Sequence, residues 1–263
     1  MKAWTPRDGD TFVTKEGFVF YVFGYEHPES RVLSFLKYIP SQLKPHFPIR
    51  FLTQKWKLGN VELARSEKLY TAKNYQKLLE TFRSNFPQYI YFCPYCGKEV
   101  ISVPLELIEK VYVPKECLQR LFKKKRKDPL QKLALGLVSL LSTESKVPLE
   151  DFGIHGSIAL NMHTAKSDID LVVYGSQNFR SLEKAIDKLV EEGVLKYIFT
   201  KKLDIARKHR GRYKDKIFVY NAVRKIDEIN VHYEAHKYLP MKDVNFSCEV
   251  VDDNEAMFRP AIY

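Results

Sequence analysis

The segment from Asp168 to Val173 alternates acidic and apolar residues, and this alternation fixes both a strand and its two faces. Asp168 and Asp170 lie two positions apart, and Ile169, Leu171 and Val173 take the positions between and after them. Successive side chains of a strand point to opposite faces, so the two carboxylates share one face. Carboxylates ~7 Å apart repel one another unless divalent cations bridge them. The pattern therefore predicts a strand with a Mg²⁺ or Mn²⁺ site on its polar face.

Gly156 and Ser157 stand where an earlier predicted strand ends and a short helix begins. The strand is predicted at 152–155, and the helix starts near Ile158. At such a junction, backbone N–H groups and a hydroxyl can hold a phosphate against the start of the helix. Ten residues separate Ser157 from Asp168. A phosphate cradle followed by a metal-bearing acidic pair is the set of groups that nucleotidyl transfer requires.

Together these two elements resemble the nucleotidyltransferase superfamily of DNA polymerase β, CCA-adding enzymes, poly(A) polymerases and minimal nucleotidyltransferase antitoxins. The family pattern is an apolar residue, Gly, then Gly or Ser, a gap of about ten residues, and Asp-apolar-Asp/Glu-apolar. The sequence meets it from Ile154 to Ser157 and from Asp168 to Leu171, with Ser167 before the first aspartate. His155 departs from the pattern, because the family usually has a small or apolar residue directly before the glycine.

The resemblance implies a transfer of nucleoside monophosphate from a nucleoside triphosphate to an acceptor hydroxyl, with release of pyrophosphate. It implies that Asp168 and Asp170 hold two Mg²⁺ or Mn²⁺ ions and that Gly156 and Ser157 hold the β- and γ-phosphates. The implied fold class is α+β, with a mixed β-sheet nucleotidyltransferase domain preceded by a smaller α/β N-terminal domain.

A third carboxylate on a neighbouring strand is also implied by the resemblance, as a base for the acceptor hydroxyl or as a further metal ligand. The predicted strand Ile229–Tyr233 has an apolar face, and Glu228 falls on the opposite face, which favours Glu228. Asp227 is the alternative, because a β-bulge would reverse the faces. If neither residue serves, the protein binds nucleotides without catalysis.

The chain divides at the run Lys123–Lys127, where five adjacent positive charges repel one another. Asp128 and Pro129 follow as the N-cap and first residue of a helix that continues to about Leu141. The predicted domains are therefore an accessory domain at 1–122 and the nucleotidyltransferase domain at 123–263.

Hydrophobic periodicity predicts the other elements of both domains. In the first domain they are strands at 17–25, 31–39 and 89–92 and an amphipathic helix at 72–84. In the second they are strands at 169–173, 217–223 and 229–233 and a helix at 181–192, which together indicate a mixed sheet with helices on one side.

The positive charge of the chain favours a polyanionic partner. Lys and Arg number 43 against 32 Asp and Glu, so the net charge is +11. RNA is therefore the favoured acceptor, and a protein hydroxyl or a small molecule is the alternative. The basic segment 201–216 is predicted to be a loop that contacts triphosphate or nucleic-acid backbone, or else a solvated loop. The alternative function is a non-catalytic nucleic-acid-binding, antitoxin-like or nucleotide-sensing protein on the same scaffold.

Four cysteines do not make a disulfide framework, and this indicates a reducing compartment. The chain begins without an apolar signal segment, and its longest apolar run, Leu133–Leu141, is far shorter than the ~20 residues of a membrane span. We therefore expect a cytoplasmic protein without a membrane partner. Cys93 and Cys96 have the spacing of half a zinc ribbon, and the alternative is a turn with packed thiols.

Overall fold

The computed structural model describes residues 4–68, 71–200 and 202–262 and divides into two compact units. The first comprises Met1–Val111 and Ile229–Val251, and the second comprises Tyr112–Glu228 and Asp252–Tyr263. This division differs from the predicted boundary after residue 122. Helix α2 (Pro114–Lys123) packs on a strand of the second unit, so the basic run begins at the end of a packed helix.

In its described residues, the first unit is built on an eight-stranded sheet with one α-helix. The strands are β1 (Thr11–Thr14), β2 (Val19–Val22), β3 (Arg31–Pro40), β4 (Trp56–Leu58), β5 (Val61–Ala64), β6 (Ile90–Cys93), β7 (Lys98–Pro104) and β8 (Ile108–Tyr112). The helix is α1 (Ala72–Asn85), which confirms the helix predicted at 72–84.

Antiparallel pairing dominates this first sheet. β1 pairs with β2, β2 with β3, β3 with β5 and β7, β4 with β5, and β6 with β7, all antiparallel. The unit is thus a largely antiparallel sheet with one helix, where we expected an α/β domain. Its core is aromatic: the rings of Phe18, Phe20, Phe82 and Tyr89 lie within about 6 Å of one another and are fully buried.

The second unit contains the remaining helices and strands. The helices are α2, α3 (Pro129–Ser145), α4 (Gly156–Ala159), α5 (Ser176–Glu191) and α6 (Lys202–Arg207). The strands are β9 (Phe152–Ile154), β10 (Ile169–Tyr174), β11 (Leu195–Tyr197), β12 (Arg210–Tyr213) and β13 (Lys216–Val223).

The second sheet is mixed, as the sequence predicts. Its order is β11-β12-β13-β10-β9, with β10 and β13 parallel and the other pairs antiparallel. The α+β class predicted for this domain is therefore confirmed. The parallel pair places Asp170 beside Val219 and Leu171 beside Tyr220, so the two faces of β10 continue onto β13.

Helices cover the two faces of this sheet unequally. On the face of Tyr220, α5 packs through Phe179, whose ring lies 5.7 Å from the Tyr220 ring. On the other face, α2 packs against β9 so closely that a Cβ on Gly153 would lie 2.7 Å from Pro114. The expectation of helices on one side only is therefore wrong, because α2 covers part of the face that carries Asp170.

The start of α3 follows the predicted capping pattern. The Asp128 carboxylate accepts a hydrogen bond from Gln131 N at 3.0 Å, and the Gln131 side chain accepts one from Asp128 N at 3.3 Å. Among the residues that the structure describes, no helix is both long enough and apolar enough to cross a membrane.

Two of the predicted elements are wrong. The strand predicted at 229–233 is absent, because Ile226–Glu228 forms a 3₁₀ helix and irregular chain follows. The basic segment 201–216 is not a loop: it contains α6 and β12, and β12 pairs with β13. Lys201 lies outside the described residues.

Candidate functional site

Asp168 and Asp170 lie at the start of β10 and share one face, as their spacing predicts. Asp168 directly precedes the strand and Asp170 is its second residue. Ile169 and Leu171 are fully buried, whereas both aspartates are half-buried. The alternation therefore keeps both carboxylates accessible beside a packed core.

Gly156 packs directly against Asp170. The chain leaves β9 through His155, whose N–H donates to the Asp170 carbonyl oxygen at 3.0 Å, and it enters α4 at Gly156. Gly156 has φ +64°, and a Cβ there would lie 1.9 Å from Asp170 Oδ2. Only glycine satisfies both conditions, so the two halves of the sequence pattern meet in one site.

The segment between these two halves is held by local hydrogen bonds. Met162 N donates to the Ser157 carbonyl oxygen at 2.8 Å. Thr164 N donates to Ser167 Oγ at 3.0 Å, directly before Asp168. Ser157 itself is half-buried at the start of α4. These contacts position Ser157 and Asp168 at the two ends of a compact connection.

Arg210, on β12, is the functional candidate that the sequence did not single out from its basic segment. Its Nη2 lies 3.7 Å from Asp168 Oδ2. The sheet register explains the approach, because Val219 pairs with Asp170 on one side and with Arg210 on the other. Among the residues that the structure describes, the buried Arg210 Nε has no hydrogen-bond partner, so this donor is unsatisfied within the protein.

The electrostatic environment of Asp168 combines two opposing effects. Burial raises the pKa of the Asp168 carboxyl above its usual value, and the Arg210 guanidinium lowers it. The two side chains are 41% and 30% exposed, so solvent screens their interaction in part. The site therefore places the negative charge of Asp168 beside the positive charge of Arg210. A carboxylate can bind a cation, and a guanidinium can bind a phosphate.

The structure does not bring Glu228 to this site. Its carboxylate accepts hydrogen bonds from Ser176 N at 2.8 Å, Ser176 Oγ at 2.9 Å and Lys225 N at 2.8 Å, and so caps the start of α5. This is the far end of β10, roughly 13 Å along the strand from Asp170. Asp227 belongs to the same 3₁₀ turn. The face assignment that favoured Glu228 depended on a strand that does not form.

The neighbouring strand supplies no carboxylate next to the aspartate pair. The side chains of β13 on the face of Asp170 are Ile217, Val219, Asn221 and Val223. Within the described part of the chain, no three His, Cys, Asp or Glu residues cluster as a metal site. Two carboxylates are nevertheless sufficient for Mg²⁺, which is commonly held by one or two carboxylates, water and substrate phosphates. The oxygen donors of Asp168 and Asp170 fit that ion.

A cavity of about 490 Å³ lies between the end of α2 and α4 and is lined by residues of both. On its basic side it is lined by Arg120, Lys123 and Lys124. On the α4 side it is lined by Ile158, Ala159 and Asn161. Part of the run Lys123–Lys127 thus faces a cavity beside the predicted phosphate cradle.

The cysteine pair lies in the first unit, away from these residues in sequence. Cys93 is buried, and the Tyr233 hydroxyl lies 3.2 Å from its Sγ. Burial raises the pKa of the Cys93 thiol, but hydrogen bonds from Tyr233 and Cys96 outweigh it, and the pKa lies below its usual value. No third potential ligand joins the pair among the described residues. Zinc binding stays a prediction without a completed ligand set.

Comparisons with known proteins agree with this geometry. Residues 139–232 match the family model described as the nucleotidyltransferase domain, and all but the last four of these residues lie in the second unit. The chain is similar to the uncharacterized protein MJ1086 of Methanocaldococcus jannaschii. The two are 25% identical over an alignment 295 positions long, which covers 98% of this chain and 79% of that protein. No solved structure matches the chain. The predicted superfamily is thereby confirmed.

Proposed function

We propose that the second unit transfers a nucleoside monophosphate from a nucleoside triphosphate to an acceptor hydroxyl and releases pyrophosphate. The observation that carries the proposal is the contact between Gly156 and the Asp170 carboxylate. It joins the two halves of the sequence pattern within the family-matched segment 139–232. Each half alone is common in proteins, whereas their meeting at one strand end is specific.

In this proposal each residue has a separate task. Asp168 and Asp170 hold two divalent ions, Mg²⁺ or Mn²⁺, which when bound neutralise charge on the phosphates and orient them. Gly156 lets the backbone pack against the Asp170 carboxylate without a Cβ in the way. The backbone N–H groups at this junction and the hydroxyl of the neighbouring Ser157 donate to the β- and γ-phosphates. Arg210 turns from Asp168 toward the triphosphate and supplies the positive charge that the developing pyrophosphate needs.

RNA is the acceptor that the charge distribution supports. The net charge is +11, and basic side chains line the cavity beside α4. A basic cavity close to a phosphate cradle attracts a polyanion and concentrates it near the reacting groups. Within this proposal, the 3′ end of an RNA provides the acceptor hydroxyl.

A second candidate function is nucleotide binding without turnover. It is supported by the absence of a carboxylate on β13 beside Asp170 and by the ion pair that Arg210 makes with Asp168. A site with two carboxylates and no base can bind a metal–triphosphate complex without activating an acceptor hydroxyl. Such a protein would sense nucleotides or neutralise a partner.

One experiment separates these functions. The full-length protein is incubated with each α-labelled nucleoside triphosphate, Mg²⁺ or Mn²⁺, and total RNA, and EDTA is added in a parallel set. Label that enters RNA only with metal supports transfer, whereas label that is retained on the protein but never transferred supports the second candidate. Asp168→Asn should abolish the signal, and Asp215→Asn, at an exposed aspartate paired with Lys216, is the control. A protein that neither binds nor transfers label contradicts both.

A further inference from the structure

A basic cavity of about 660 Å³ opens at the start of α1 in the first unit. Four cationic side chains line it: Arg50, Lys68, Lys73 and Lys77. Glu67 is the acidic residue among the described residues of the lining. Within the described chain, none of the four cations forms an ion pair with a carboxylate. Their charge is therefore available to a negatively charged ligand.

The backbone around the cavity strengthens its positive potential and fixes its shape. Thr71 caps α1, and the first turn of the helix carries no acidic residue, so the positive end of the helix dipole is not neutralised. The Asn74 amide donates to the Lys68 carbonyl oxygen at 2.6 Å, and Lys77 Nζ donates to the Pro48 carbonyl oxygen at 2.9 Å. These two hydrogen bonds fix the positions of the Asn74 and Lys77 side chains in the cavity wall.

A different face of the same helix borders an aromatic groove of about 750 Å³. Phe23, Phe35 and Tyr75 line it, with ring centroids 4.8 Å apart for the first pair and 6.3 Å apart for the second. Phe23 is 39% exposed. The Tyr75 hydroxyl accepts a hydrogen bond from Ile101 N at 3.2 Å, which orients its ring. The groove therefore presents a partly exposed aromatic ring, that of Phe23, beside α1.

We propose that the surface around the first two turns of α1 binds single-stranded nucleic acid. Positively charged cavities that follow the phosphates, combined with aromatic rings on which bases stack, are the physical signature of such binding. Arg50, Lys68 and Lys73 contact phosphodiesters, and Phe23 stacks on a base. This inference rests on the proposed function in one respect: the bound strand is taken to be the acceptor of the transferred nucleotide. Binding of the strand does not itself require nucleotidyl transfer.

The test measures the affinity of the full-length protein for a fluorescent single-stranded RNA and for DNA of the same sequence, by anisotropy over a salt series. Arg50→Glu with Lys73→Glu removes two phosphate contacts, so affinity should fall at least tenfold and the slope of log affinity against log salt should decrease by about 1.4. Phe23→Ala should weaken binding roughly 5- to 150-fold and leave that slope unchanged.

Matched controls lie on the same unit. Lys15→Glu changes an exposed lysine in the β1–β2 turn, and Phe92→Ala removes a phenyl group on β6 that is 60% exposed. Both should bind like wild type, within about twofold. The neutral pair Arg50→Gln with Lys73→Gln, together with melting curves, separates lost contacts from lost folding.

The outcomes distinguish this inference from the proposed function. Wild-type affinity in both the charge and the ring variants overturns the inference even if nucleotidyl transfer to RNA is observed. A wild-type protein that binds no strand at low salt overturns it as well, and transfer to another acceptor would then leave the proposed function standing. Equal affinity for RNA and DNA supports the site and shows that the 2′-hydroxyl is not read there.

Discussion

The Asp170 carboxylate lies against the backbone of Gly156, where a Cβ would come within 1.9 Å of Oδ2. The same aspartate accepts a hydrogen bond at its carbonyl oxygen from His155 N. Side chain and main chain of Asp170 therefore both touch the β9–α4 junction. The site is a single interlocked unit, so a change at Gly156 acts directly on Asp170.

Gly156→Ala should abolish nucleotidyl transfer and destabilise the fold. The alanine methyl group would displace the Asp170 carboxylate, and φ +64° adds ~1–2 kcal/mol of backbone strain. Gly193→Ala is the matched control, since Gly193 has φ +75° and nothing within 4 Å of its Cβ position. Urea unfolding and a transfer assay on both variants test this. Active Gly156→Ala protein would contradict the geometry.

Arg210→Gln should weaken triphosphate binding by about tenfold or more, because it removes a charged donor whose loss costs ~1.5–3 kcal/mol. Arg212→Gln is the control: Arg212 lies two residues further along β12, on the same face, and is exposed. Binding of a fluorescent triphosphate, with and without Mg²⁺, is the measurement. Equal affinities in the two variants would remove Arg210 from the site.

Glu228→Gln should lower stability and leave the rate per folded molecule nearly unchanged. The Glu228 carboxylate accepts three hydrogen bonds at the start of α5, and glutamine removes its negative charge. We expect this loss to lower the free energy of unfolding by ~1–2 kcal/mol. Asp227→Asn, in the same turn, should change neither quantity. If Glu228→Gln instead loses orders of magnitude in rate at full stability, the residue is the third carboxylate that the sequence predicts.

Local patterns in the sequence predict much of what the structure contains. The alternation at Asp168 identified β10 and its polar face, and the spacing of apolar residues identified α1 to within one residue at its end. Asp128 was recognised as an N-cap for the same reason: the signal lies within one turn of chain. Such features depend on neighbouring residues only, so a single sequence is sufficient.

Features that depend on sheet register were missed. The approach of Arg210 to Asp168 requires β13 to lie between their strands, which no local pattern encodes. The hairpin of β4 and β5 consists of strands of three and four residues, too short for a clear alternation. The prediction that Glu228 faces the site depended on the alternation of apolar and polar residues at 229–233. That segment does not form a strand, because no neighbouring strand pairs with it in the described structure.

Asp168→Asn should reduce metal-dependent transfer by orders of magnitude and change the free energy of unfolding by less than ~1 kcal/mol. The carboxylate is a proposed metal ligand, while its ion pair with Arg210 is long and partly exposed. A labelled-triphosphate assay and thermal unfolding measure the two effects. Retained transfer in this variant would show that the aspartate pair is not the metal site.

Lowering the pH should reduce the free energy of unfolding of the wild-type protein more than that of the His27→Gln variant. Burial lowers the pKa of His27 to about 4, and Leu33 N donates to its Nδ1 at 3.2 Å, which requires the neutral ring. Between pH 6.5 and 4 the unfolded chain therefore binds a proton that the folded chain does not, and the free energy of unfolding falls by up to about 3 kcal/mol. Burial raises the pKa of Asp10 to about 7, which opposes this trend but is common to both proteins.

Urea unfolding at several pH values measures this effect. The difference in the free energy of unfolding between wild type and His27→Gln should shrink toward pH 4, and His46→Gln, at an exposed histidine, is the control. A difference that is constant from pH 7 to 4 would mean that His27 takes its proton equally in both states.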